Sequence, residues 1–101
     1  MIEASLVKAL CSQMNFELYS AYLYLAMAAQ AEKLKLPGAA NWMHMQAEEE
    51  LIHANIFFQY LVDRECDIAF EAIAKPAYKA SDVLGVFKSA GEHEKIVTGR
   101  I

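Results

Sequence analysis

From about Ser5 to Lys35 the chain carries neither glycine nor proline and is dense in Leu, Ala, Met, Glu and Gln. Nothing in that composition interrupts a helix once it has begun, and at about 1.5 Å per residue the segment runs for roughly 45 Å. A rod of that length cannot fold back on itself within 101 residues. Its neighbours must lie alongside it, so the expected fold class is all-α, a bundle of near-parallel helices.

Pro37-Gly38 breaks the run. A second helix is expected from about 38 to about 64, through Trp42, Glu50 and Phe57, because proline is tolerated in a first turn. So short a turn makes the two helices antiparallel neighbours. Residues 65–80 show weaker periodicity, contain Pro76 and read as a long connection crossing the end or side of the hairpin. Ser81-Asp82 looks like a cap. A third helix follows over about 82–101, with Val83, Phe87, Ala90, Glu94, Val97 and Ile101 on one stripe and Gly85, Gly91 and Gly99 weakening its propensity. It is still in register at the last residue, which suggests an element cut short. Residues 1–101 thus read as one incomplete domain.

Charge and cysteine content narrow the function. A formal net charge of -4 leaves no basic patch suited to a nucleic-acid backbone. No apolar run is long enough to span a bilayer, and the first residues have no basic segment followed by an apolar one, so a cytoplasmic protein is expected. Cys11 and Cys66 form no Cys-x-x-Cys pair, and both read as free structural thiols. The methionines read as core.

The residues that carry chemistry interrupt apolar stripes. Met43, Gln46, Glu50, His53, Phe57 and Leu61 recur at three- and four-residue steps, so Glu50 and His53 leave one helix face in line with large apolar side chains. Glu-x-x-His at that spacing can converge on one metal ion, and it is the motif by which four-helix bundles hold paired iron or manganese. The plain alternative, a chance pairing on a solvated face, is opposed by this register. On the first helix Leu6, Leu10, Glu17, Tyr24 and Ala28 share a stripe, and antiparallel pairing sets Glu17 near Glu50 and His53. Glu94 interrupts the third stripe similarly. Carboxylates with one imidazole suit iron, manganese or zinc, and a carboxylate-rich pair of sites suits ferrous iron and dioxygen. Tyr24 is either a core tyrosine or a hydrogen-bonding and redox partner of such a centre. Glu48 and Glu49 read as a solvated face, although Glu49 adjoins Glu50; His44 and His93 read as surface histidines.

The segments Asn15-Phe-Glu17-Leu-Tyr-Ser20-Ala-Tyr-Leu-Tyr24-Leu, Glu48-Glu-Glu50-Leu-Ile-His53-Ala and Glu92-His-Glu94-Lys, with Trp42 and Phe70-Glu-Ala-Ile-Ala-Lys-Pro76, together resemble the non-haem ferritins of bacteria and archaea over the entire chain. The resemblance implies a ferritin-like four-helix-bundle architecture, of which this chain carries two long helices, the crossover and the start of a third. It further implies oxidation of ferrous iron by dioxygen at an intrabundle di-iron ferroxidase centre and storage of the ferric product in a hollow shell. By position, Glu17, Glu50 and His53 would hold one iron, and Glu50 would bridge to a second that Glu94 also binds. Tyr24 would stand beside the centre, and Glu49 would help to hold a third, transit iron. Leu51 occupies the position where haem-containing bacterioferritins carry a methionine ligand, so no haem is expected.

Members of that family run to more than half as long again, and their fourth helix carries further ligands. Two rival readings stand beside the ferritin one: a non-catalytic helical oligomerisation module, and a di-iron peroxidase of the rubrerythrin kind, which the absence of Cys-x-x-Cys pairs disfavours. The apolar stripes left bare by so few helices imply self-association, either as a symmetric dimer pooling two sets of Glu17, Glu50 and His53 or within a ferritin shell.

Overall fold

The computed structural model of the chain describes residues 3–76 and 83–100, and within the last of these the side chains of residues 85, 88 and 90–96. Its elements are α1 (Ala4–Lys33), α2 (Pro37–Asp63) and α3 (Val83–Arg100). They build a rod of 50 × 21 × 19 Å, whose long axis matches the 30 residues of α1 at about 1.5 Å each.

The α1–α2 turn is made differently from the expected Pro-Gly break. Leu34 caps α1, Lys35 takes a left-handed φ of 60°, and two bonds close the end: Lys35 N–H to the Glu32 carbonyl and Leu36 N–H to the Ala31 carbonyl, both at 3.0 Å. This is a Schellman ending in which lysine holds the place usually given to glycine. Pro37 then opens α2, where its missing N–H costs nothing. Gly38 is helical, with open space around it. The far end of α2 repeats the device with Glu65 at φ 56° and the Cys66 N–H on the Leu61 carbonyl at 3.0 Å.

The hairpin packs along a seam of alternating three- and four-residue steps. On α1 it runs through Met14, Glu17, Ala21, Tyr24, Ala28 and Ala31, and on α2 through Ala40, Met43, Ala47, Glu50, Ala54 and Leu61. The alanines let the backbones approach, and Tyr24, Met27 and Met43 fill the layer between them, where Ala90 of α3 joins them. Each large side chain so buried stabilises the fold by about 1.5–3 kcal/mol.

Some expected core residues lie elsewhere. Leu6 is 44% exposed and Met45 56%. Met45 sits on the outer face of α2, while Leu6 and Leu10 join Ile56, Phe57 and Tyr60 around an open apolar groove of about 220 Å³. Ser81 and Asp82 lie outside the described residues, as do the side chains of Val83, Phe87 and Val97, and Ile101. Cys11 is buried, Cys66 is partly so, and both are free.

The connection after α2 is tied to the flank of α1 by Asn15. Its amide donates to the carbonyls of Cys11 at 2.8 Å and Ala69 at 2.9 Å, and its oxygen accepts the Glu71 N–H at 3.1 Å. That strap turns the chain toward α3, which packs on α1. No helix of the described residues is long and apolar enough to cross a membrane.

Candidate metal centre

Glu17 and Glu50 face each other across the seam, 1% and 3% exposed, because helical periodicity places each one turn from alanines and methionines that close the interface. His53 follows one turn after Glu50 and keeps 46% of its side chain exposed. His53 Nδ1 lies 3.6 Å from Glu17 Oε2 and 3.6 Å from Glu50 Oε2. One donor atom from each residue falls within 4.8 Å of the others, the only such cluster among the described residues.

Glu17 Oε2 and Glu50 Oε2 are buried without a hydrogen-bond partner. Unsatisfied carboxylate oxygens in a helix interface are costly, and these two converge on the same imidazole nitrogen. Glu17 is steadied on its other side by the Gln13 amide, which donates to Oε1 at 3.2 Å. Burial pushes the Glu50 carboxyl up to about 8, with Glu17, then Glu94 and Glu49, adding to the shift. Two carboxylates and an imidazole form a donor set that could take a divalent cation, with ligand types suited to iron, manganese or zinc.

Glu94 reaches this neighbourhood from α3. It accepts a hydrogen bond from the Tyr24 hydroxyl, and it stands outside the three-residue cluster. Tyr24 is fully buried; burial first, then the Glu94 hydrogen bond and the charges of Glu94, Glu50 and Glu49, hold its phenol well above the usual tyrosine range. Glu49 and Glu48 are exposed, the latter 3.7 Å from His44 on the outer face.

His93 corrects the expectation of a surface histidine. It is 5% exposed and paired through Nε2 with Ser20 Oγ at 2.9 Å. Its ring stacks on Phe16 at 5.9 Å and meets Tyr24 edge-on at 5.4 Å. Burial lowers its pKa, opposed by the charges of Glu94 and Glu17. The signal was present in the sequence as the three-residue step from buried Ala90 to His93, which fixes the inward face of α3 slightly to one side of the stripe drawn through Glu94.

A hairpin of long helices with paired carboxylates and a histidine in its seam defines a helical-bundle protein with a group of side chains that could hold a metal ion between its helices. The chain belongs to the ferritin-like domain family, whose model matches residues 7–101. It is 37% identical over 100 residues to the bacterial non-heme ferritin of Staphylococcus aureus, covering 99% of this chain and 60% of that protein. It is 35% identical to a probable bacterial non-heme ferritin-like protein of Haemophilus influenzae, covering 100% of this chain and 61% of the relative. Among solved structures, an open-pore ferritin of the hyperthermophilic archaeon Archaeoglobus fulgidus superposes with a TM-score of 0.92 at 39% identity, over 99% of this chain and 62% of the other. The chain therefore spans about 60% of the length of the curated relatives it matches.

Proposed function

We propose that the chain binds ferrous iron as substrate at Glu17, Glu50 and His53, and that it acts in iron oxidation and storage as its ferritin relatives' names imply. The observation that carries this reading is the pair of buried, unpartnered oxygens, Glu17 Oε2 and Glu50 Oε2, both 3.6 Å from His53 Nδ1. A cation there would satisfy both carboxylates and use the imidazole lone pair. It would turn a destabilising juxtaposition into a bound state.

Each residue then has a distinct part. Glu17 and His53 bind one ion from opposite helices. Glu50, which feels the charges of both Glu17 and Glu94, would be the carboxylate shared with a second ion, with Glu94 as that ion's further ligand. Bound ferrous ions would supply electrons to dioxygen, while the carboxylates stabilise the ferric charge. Glu49, exposed beside Glu50, offers a carboxylate on the outward route for a transit ion. Tyr24 holds Glu94 in place through its hydroxyl. The open flank of His53 admits the substrate from solvent. Assembly with further copies of the chain belongs to the same reading.

Aerobic addition of ferrous iron, followed by ferric absorbance, tests the activity, and anaerobic titration calorimetry tests the binding. His53→Ala should weaken binding by more than about tenfold, a loss above about 1.4 kcal/mol. Glu50→Ala should abolish the oxidation that Glu50→Asp partly retains. Calorimetry showing no ferrous binding to the unmodified chain would defeat the reading and leave a non-catalytic helical module.

A further inference from the structure

The two oxygens of Glu17 are unequal. Oε1 accepts a hydrogen bond from the Gln13 side-chain amide at 3.2 Å, whereas Oε2 is buried without a hydrogen-bond partner and lies 3.6 Å from His53 Nδ1. Gln13 stands four residues before Glu17 on α1, a spacing that sets both side chains on one helix face. Its amide therefore reaches the carboxylate from the side of α1, while the candidate centre lies on the side of α2.

A carboxylate binds a cation through one oxygen or through both. Binding through both requires the group to turn until its two oxygens lie equally near the ion. A donor fixed on Oε1 opposes that turn, because chelation would cost a hydrogen bond to a charged acceptor, which is one of the stronger kinds. Glu17 is sealed in the seam at 1% exposure, so water is not at hand to replace the amide. Gln13 is not one of the three residues whose donor atoms form the cluster, and its influence on a bound ion runs through Glu17.

We propose that Gln13 is a positioning residue that holds Glu17 to binding through Oε2 alone, and so keeps one place on the bound ion unfilled by the protein. That role rests on the metal-centre reading and specifies how Glu17 binds within it. An ion held by one oxygen of Glu17, by Glu50 and by His53 retains room for a small molecule, and an unfilled position is what separates reactive metal sites from closed structural ones. The flank of His53, 46% exposed, gives solvent access to that room. Were both Glu17 oxygens bound, the ion would be held no less tightly and would be less open to dioxygen. Second-sphere partners that hydrogen-bond a ligating carboxylate orient it in this way.

Infrared difference spectra recorded on anaerobic addition of ferrous iron test the binding mode, since the antisymmetric and symmetric carboxylate stretches are widely separated for one-oxygen binding and close together for chelation. The unmodified chain should show a widely separated pair that Glu17→Gln lacks. Gln13→Met keeps the length and helix propensity of the side chain and removes its donor; it should replace that pair with a narrow one. Gln13→Lys, which returns an N–H donor at similar reach, should keep the wide pair. With dioxygen admitted, Gln13→Met should oxidise bound ferrous iron more slowly while its calorimetric affinity is not reduced. A glutamine that merely stabilised α1 would lower the urea midpoint on substitution and leave the bands in place. A wide pair undiminished in Gln13→Met, or a narrow Glu17-dependent pair already present in the unmodified chain, would overturn the role of Gln13; the second comparison needs no change at Gln13 and holds even if its variants fail to fold. Either result leaves ferrous binding standing, whereas a folded, unmodified chain that takes up no ferrous iron in calorimetry defeats the metal-centre reading and the role of Gln13 with it.

Discussion

Glu50 has two properties that pull against each other: it is buried among apolar side chains, and it faces Glu17 from α1, Glu49 and His53 from α2, and Glu94 from α3. Its carboxyl is raised from 4.5 to about 8, first by burial and then by those acids. Below pH 4.5 it is protonated whether the chain is folded or not, so it adds no pH dependence there. Between 4.5 and about 8 the unfolded chain releases this proton and the folded chain keeps it, and stability falls with rising pH. We expect urea unfolding of the metal-free protein to show that fall, and Glu50→Gln to remove it. A Glu50→Gln variant whose stability declines as steeply over this range would show that the pair is not strained. His93 acts with the opposite sign, since its pKa is lowered by burial; its contribution is lost as pH falls through the ordinary histidine range. Glu17, Glu50 and Tyr24 were legible as inward residues because each interrupts an apolar stripe. For His93 the sequence held only the step from Ala90, because its stripe on α3 is short and its partner Ser20 is 73 positions away.

At the scale of elements, helix existence and pairing follow from local chemistry, whereas the devices that end and connect the helices depend on contacts between distant residues. The expected α1 of 5–35 and α2 of 38–64 differ by a residue or two from Ala4–Lys33 and Pro37–Asp63, because Leu34 and Lys35 close α1 before Pro37 opens α2. The left-handed residues could not be read from composition, since neither Lys35 nor Glu65 is a residue that favours φ near 60°. Replacing either by glycine should relieve about 1–2 kcal/mol of backbone strain against an unfolded-state entropy cost of about 0.4–1 kcal/mol. A small net rise in the urea midpoint is therefore expected for each, and a fall would show that the lysine or glutamate side chain is holding the turn. The strap through Asn15 was equally hidden, since its partners are 54 and 56 positions away. Asn15→Leu keeps the volume but strands the Ala69 carbonyl and the Glu71 N–H, so a loss of about 1–3 kcal/mol is expected. Hydrogen exchange should show the Glu71 amide losing its protection at the same time.

For the whole molecule, the issue is what covers its apolar surface. Among the described residues α1 carries α2 on one side and α3 on another, so a four-helix bundle around Glu17, Glu50 and His53 would take one further helix, next to α2. A second hairpin brings two helices, and a symmetric dimer closed about the metal cluster would therefore have to displace α3. The opposite face of the hairpin imposes no such cost. There Leu18, Ala21, Tyr22, Leu25, Ala47, Leu51 and Ile73 line an open apolar groove of about 530 Å³, with Tyr22 at 47%, Leu25 at 47% and Leu51 at 50% exposure. Contiguous apolar surface of this kind marks an interaction site, and a two-fold axis through the groove would set each copy's leucines against the other's. We expect light scattering to find a mass above that of one chain. Leu25→Glu or Leu51→Glu, which buries charge in that contact, should shift the protein toward monomer without weakening metal binding, because neither residue touches the cluster. Ile56→Glu, beside the smaller groove along α2, should leave that association intact. A monomer at every concentration, or a mass that ignores Leu25→Glu and Leu51→Glu but responds to Ile56→Glu, would move the interface to the open side of α2 and return the partner copy to the metal centre.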